Sequence, residues 1–123
     1  MDEVQFDDAS LAARLDALTQ EELHALPFGV IKLDAEERVV FFSRTEAEQS
    51  GALRAQFVGL HFFESVAPCM NTPEVRGRVL ADRERGALDL EVGHTGDYDD
   101  PTRCFRIRAM TAGDGGIWLA HQR

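Results

Sequence analysis

Lysine is nearly missing from this chain. Lys32 stands alone against 12 arginines and 22 acidic residues, and the formal net charge is −9 over 123 residues. A surface that acidic repels a phosphate backbone, so no nucleic-acid partner is expected. Cysteine is scarce as well. Cys69 and Cys104 are too few for a disulfide framework, and nothing requires them to pair. No apolar run approaches the roughly 20 residues of a membrane span. The start Met1-Asp2-Glu3 is acidic and lacks a signal-peptide pattern. A cytoplasmic location without a membrane partner is therefore expected. His61, His94 and His121 are not at metal-ligand spacing, which gives no reason to expect a metal. Repeats and low-complexity tracts are absent.

What is present suits one soluble domain with one real core: 44% hydrophobic and 28% charged residues. Residues 1–26 carry two short helical patterns. Ser10 can cap Leu11, Leu15 and Leu18, and Thr19 with Glu22 forms a capping box before Leu23 and Leu26. Neither is long enough to be stable alone, so both must pack as a cap on something larger. Two strands follow, over 28–33 and 38–42, separated by polar turn residues. Ser43 can cap a short helix over 44–50, stopped by Gly51, and a helical turn is expected over 53–58. The longest helix is expected over 74–85, with Val75 and Val79 inward. Strands then follow over 88–96, 103–109 and 117–121. Strands around a helical middle imply an α+β domain with an antiparallel sheet, helices on one face and the cap on the other. The expected division is a cap over 1–26 and a core over 27–123, in one structural unit.

One stretch stands out. His61-Phe62-Phe63 leads into Val66-Ala67-Pro68-Cys69, and Thr72-Pro73-Glu74 reads as a helix start. Pro68 fixes its own φ and steers Ala67 away from helix, so Cys69 sits on a stiffened turn. Taken alone, such a cysteine is a small buried hydrophobe or an attachment point.

The element order matches a PAS fold: a central antiparallel five-stranded sheet, a helical crossover and an N-terminal helical cap. The sequence resembles the photoactive yellow protein family over essentially its whole length. The resemblance is carried by Pro27-Phe28-Gly29, Leu33-Asp34, Glu46, Gly51, Gly59 with Phe62-Phe63, Val66-Ala67-Pro68-Cys69, Pro73-Glu74 with Gly77, Asp97-Tyr98 and Trp118. It implies a blue-light photoreceptor, not an enzyme, in which Cys69 carries p-coumaric acid (4-hydroxycinnamic acid) as a thioester. It also implies a chromophore pocket containing Glu46, Phe42, Ser50, Ala52, Phe62, Ala67, Pro68 and Tyr98, and a cap that loosens in light. On that pattern Glu46 is kept protonated by burial, which raises a carboxyl pKa. It would then pass a proton to the chromophore.

The chain departs from the family in places. Phe42 stands where the family has a tyrosine donor, so the phenolate loses a hydrogen bond of about 1.5–3 kcal/mol. A shifted or heterogeneous absorption band is expected. Ser50 replaces a threonine and Ala52 replaces an arginine gate, which implies a wetter pocket. Gly96 and His94 replace aromatics on the third strand. The loop at Asp99-Asp100 is one residue short and lacks a methionine, which implies slow dark recovery. Cys104 is expected as strand filler, and the arginines as solvated partners of the surplus acids.

Two other readings remain. One is a PAS sensory or dimerisation module without covalent pigment. The other is a thiol enzyme pairing Cys69 with a histidine base, His61 or another. The expected partner is an unidentified downstream signalling protein, and the expected state is a monomer or weak dimer.

Overall fold

The computed structural model describes residues 3–52, 56–97 and 100–123. Its strands are β1 (Gly29–Leu33), β2 (Val39–Phe42), β3 (Asp89–Thr95), β4 (Cys104–Thr111) and β5 (Ile117–Gln122). They form one sheet in the order β2-β1-β5-β4-β3, and every neighbouring pair is antiparallel. The helices are α1 (Leu11–Ala17) and α2 (Gln20–His24) in the cap, α3 (Arg44–Ser50) after the first hairpin, and α4 (Arg78–Glu84) before β3.

The sheet separates two apolar cores because successive strand residues point to opposite faces. On β5, Ile117 and Leu119 join Ile31, Leu33, Phe62, Phe63, Val66 and Ile107 on the crossover side. Trp118 and Ala120 join Phe6, Leu11, Leu15, Leu23, Phe28 and Val30 on the cap side. Fully burying each large side chain of this kind contributes about 1.5–3 kcal/mol. The short cap helices therefore owe their stability to the sheet rather than to helix propensity.

Several local chemical signals in the sequence have their expected structural counterparts. Gly51 ends α3 with a left-handed φ of 83°, a conformation glycine adopts without steric cost. The Thr19–Glu22 capping box closes in both directions. Thr72 accepts a hydrogen bond from the Val75 N–H, as expected of a cap.

Other details differ. Ser10 makes no side-chain cap; its N–H instead donates to the Asp8 carboxylate at 3.0 Å. The expected 74–85 helix is two pieces. Pro73–Gly77 forms a wide π-helical turn in which the Gly77 N–H reaches back to the Thr72 carbonyl, and α4 follows. The turn expected over 53–58 lies partly outside the described residues, and residues 56 and 57 have no regular structure.

Arginines expected to be solvated do more. Arg108 is 8% exposed and donates to the Phe6 and Asp8 carbonyls, which fastens the cap to β4. Arg76 forms a two-pronged pair with Glu37, whose φ of 67° marks the irregular β1–β2 turn. That pair ties the hairpin to the crossover. Cys104 lies on an exposed strand face with its Sγ 3.3 Å from the Thr95 hydroxyl, so it does not fill the core.

Candidate functional site

The geometry begins at Ser43. Its hydroxyl oxygen accepts from the Val30 N–H at 3.0 Å and from the Glu46 N–H at 3.1 Å. One buried side chain thus caps α3 and fixes it to β1. The cap places Glu46 in the first turn of α3 and turns its carboxylate over Gly29. There the absence of a side chain leaves room: a Cβ on Gly29 would lie 2.0 Å from Glu46 Oε1.

Glu46 is 2% exposed and opens into a cavity of about 350 Å³, a size suited to a small-molecule ligand. Ile31, Phe42, Phe62, Val66, Ala67, Pro68, Met70 and Phe105 form most of its wall. Cys69 lines the same cavity, as do Gly96, Asp97, His121 and Arg123. Cys69 sits in a single 3-10 turn, Pro68–Met70, behind a π-helical turn over Phe62–Val66. Partial burial pushes its thiol above the ordinary value. The Asp97 charge adds to this, while the backbone N–H groups of Cys69 and Met70 oppose it.

The polar groups form one cluster. Arg123 donates to both carboxylate oxygens of Glu46, at 2.7 and 3.0 Å, and to both of Asp97, at 2.6 and 3.0 Å. His121 Nδ1 lies 3.2 Å from Glu46 Oε2, off the angle of a hydrogen bond, and neither ring nitrogen has a hydrogen-bond partner. Phe105 packs between the His94 and His121 rings, at 5.5 and 5.3 Å, with the Arg123 guanidinium 4.6 Å from its centre.

This differs from the protonated Glu46 that the family resemblance implies. Burial by itself raises the pKa, as anticipated. The neighbouring His121 and the Arg123 fork together outweigh it and hold the carboxyl below its ordinary value. Glu46 is an ionised acceptor here. Arg123, expected to be solvated, is partly buried, with a side-chain exposure of 9%.

Of the residues singled out from sequence, Cys69, Glu46, Phe42, Phe62, Ala67 and Pro68 come together around the cavity. Ser50 and Ala52 are buried but do not line it, and the Ser50 hydroxyl has no hydrogen-bond partner. Tyr98 lies outside the described residues. Gly96 lines the cavity, while the His94 ring stands behind Phe105. His61 uses Nδ1 to accept from the Glu64 N–H, which occupies the nitrogen a thiol-activating base would need. Arg123, His121 and Asp97 were missed. A signal existed for two of them: alternation along β5 puts Ile117, Leu119, His121 and residue 123 on one face.

The cavity suits a small, mostly apolar ligand carrying one polar end. Its walls are aromatic and aliphatic, its polar groups are confined to one cluster, and the His121 nitrogens lack partners. Among the described residues, no acid, His and Cys cluster could hold a metal, and no helix is long and apolar enough to cross a membrane.

Comparison with known proteins gives a consistent picture. The PAS fold model matches residues 17–123. Photoactive yellow protein from Halochromatium salexigens is 28% identical over 124 residues, covering 100% of this chain and 99% of the relative. That from Rhodothalassium salexigens is 26% identical over 125 residues with the same coverage. The crystal structure of the photoactive yellow protein domain of the sensor histidine kinase Ppr from Rhodospirillum centenum superposes with a TM-score of 0.81 at 30% identity, covering 91% of this chain and 99% of that one.

Proposed function

Because the chain belongs to the PAS fold family and, within it, to the photoactive yellow protein group, we propose that it senses blue light through p-coumaric acid held on Cys69 as a thioester. The observation that carries this reading is the shared cavity. A thiol on a rigid turn and a buried charge cluster face the same small apolar space.

When bound, such a group supplies a double bond that isomerises in light and a phenolic oxygen that gains or loses a proton. The protein supplies the rest. The Cys69 thiolate, having given its proton to solvent, displaces the leaving group of an activated 4-hydroxycinnamoyl donor. A free carboxylate offers no adequate leaving group, so this acylation needs an activated donor, and the thiol, held above its ordinary pKa, reacts through a small thiolate fraction. Phe42, Phe62 and Phe105 would flank the ring and exclude water. Glu46, Arg123 and His121 would set the charge that the polar end meets. Strand β5 links this site to the cap, since it carries His121 on the cavity side and Trp118 on the cap side. A charge change at the cluster would thus reach the cap through one strand, and residues 1–26 would pass the signal to a separate partner protein.

The test is reconstitution of the purified chain with activated p-coumaric acid. The expected result is a mass increase by one acyl group and a visible band that bleaches in blue light, both absent in Cys69→Ala. A folded chain that forms no adduct would defeat this reading and favour a PAS sensory or dimerisation module without covalent pigment.

A further inference from the structure

Among the described residues, the buried side-chain atoms without a hydrogen-bond partner are Gln49 Oε1, Ser50 Oγ, His94 Nε2 and both ring nitrogens of His121. Of these four residues, only His121 borders the cavity. It is 2% exposed. Native structures nearly always satisfy a buried polar group, so a ring left wholly unengaged beside a cavity points to a partner that enters the cavity.

The other polar groups there are already committed. Arg123 is spent on Glu46 and Asp97, and both carboxylates are spent on it. Phe42 on β2 lines the cavity from the other flank of β1, and its ring has no polar atom. His121 is paired across β1 with Gly29, which has no side chain, and the space over that glycine is taken by Glu46. The groups facing the imidazole are Glu46 Oε2, 3.2 Å from Nδ1, and the Phe105 ring at 5.3 Å, with His94 behind Phe105.

One proton shared between Glu46 and Nδ1 leaves Nε2 as a donor wherever that proton sits. On the carboxyl, it leaves a neutral imidazole with its own hydrogen on Nε2. On Nδ1, it makes an imidazolium with hydrogens on both nitrogens. In a group tethered at Cys69 the acyl carbonyl stays beside the Cys69 turn. The oxygen left to find a partner elsewhere in the cavity is the phenolic one.

Building on the attachment reading above, we propose that His121 is a ligand-binding residue whose Nε2 N–H donates to the phenolic oxygen of the Cys69-linked group. That oxygen accepts both as phenol and as phenolate, so the assignment fixes neither the charge of the ligand nor that of Glu46.

The test has two arms. The first needs no covalent pigment. The full chain, labelled with nitrogen-15 at its four histidines, is titrated with methyl 4-hydroxycinnamate and with methyl cinnamate, which lacks the hydroxyl. The His121 ring signals are assigned by their loss in His121→Gln. The hydroxylated ester is expected to bind more tightly by about fivefold or more, and to shift the His121 ring signals further than methyl cinnamate does. His121→Leu should reduce that preference by about threefold or more, and His121→Gln, which restores an N–H donor, should recover part of it. If His121→Leu does not fold, the ring signals of the wild type decide alone. Ring signals that respond alike to both esters, a preference unchanged in His121→Leu, or no binding of either ester overturns the proposal.

The second arm loads the chain with activated p-coumaric acid and titrates its absorption. It is run on Glu46→Gln, because His121 also acts on the Glu46 carboxyl and the glutamine removes that route. A hydrogen bond to the phenolate favours the charged form. Adding His121→Leu should therefore raise the phenol-to-phenolate midpoint by about one pH unit, a tenfold change in acid constant. No change, or a fall, overturns the proposal. Failure to form any adduct sinks the attachment reading, while the ester titration still decides whether His121 meets the hydroxyl.

Discussion

A Cβ placed on Gly29 would lie 2.0 Å from Glu46 Oε1 and 3.0 Å from the Glu46 Cβ. Glu46 cannot swing aside cheaply, because Arg123 grips both of its oxygens. Gly29→Ala is therefore expected to destabilise the fold by about 1–3 kcal/mol, the usual cost of overpacking a filled site. Denaturant unfolding measures it. A double-mutant cycle with Glu46→Ala isolates the cause. If the collision is responsible, the alanine at 29 should cost much less once the Glu46 side chain is gone, and equal losses in both backgrounds would rule it out. This close approach was not legible in the sequence. Pro27-Phe28-Gly29 stood out only as part of a family resemblance, and nothing local says that a helix residue from 17 positions later will lie on top of the glycine.

At the level of elements, the cap is held by few but directed bonds. Asp16 on α1 accepts from the Trp118 indole N–H at 2.8 Å and from the Gly113 N–H at 2.9 Å. Arg108 on β4 supplies the other anchor through the Phe6 and Asp8 carbonyls. With α1 of seven residues and α2 of five, neither helix persists without these contacts. Asp16→Ala leaves a buried indole donor without its acceptor, which costs about 1–3 kcal/mol. That loss falls on cap docking first. Limited proteolysis within residues 1–26 should quicken by about tenfold for each 1.4 kcal/mol lost, while cleavage of the core changes little. Unchanged proteolysis of the cap in this variant would show that the apolar contacts alone secure it. The sequence announced the cap helices through the Thr19–Glu22 box and the leucine spacing, but it placed neither anchor.

For the whole molecule, the perturbed groups share one sign on the acid side. Glu46 is held below its ordinary value of 4.5, with burial opposing and His121 and Arg123 prevailing. The exposed Asp8, Asp100 and Asp114 lie below 3.8 through hydrogen bonds to Ser10, Thr102 and Lys32 respectively, among other contacts. A carboxylate depressed in the fold stabilises it above the unfolded pKa, and that contribution is lost as pH falls through the folded value. His94 is lowered from 6.5, first by burial and then by His121. It too binds its proton more readily in the unfolded chain, so its contribution is complete above 6.5 and declines below. Cys69, raised above 9.0, has the opposite sign and loses its contribution as pH rises past that value. Unfolding free energy should thus be greatest between about pH 7 and pH 9, decline gently first and then more steeply below about pH 5. Denaturant titrations across that range measure it, and a maximum near pH 5 would contradict the assignment.

The sequence by itself determined the elements and their order. Capping boxes, stop glycines and the two-residue alternation of strands act over a few residues, so they are written locally. The α+β architecture with a cap on one face and helices on the other followed from them, and the Val66–Cys69 turn pointed to a thiol worth attention. The charge of the pocket was decided only in three dimensions. Glu46 and Arg123 are 77 positions apart, and their pairing requires α3 to be fixed on β1 by Ser43 and β5 to lie beside β1. Burial alone argued for a neutral Glu46. His121 and Arg123, both delivered by the end of β5, together reversed that sign, because two close cationic partners outweigh the desolvation of the carboxylate.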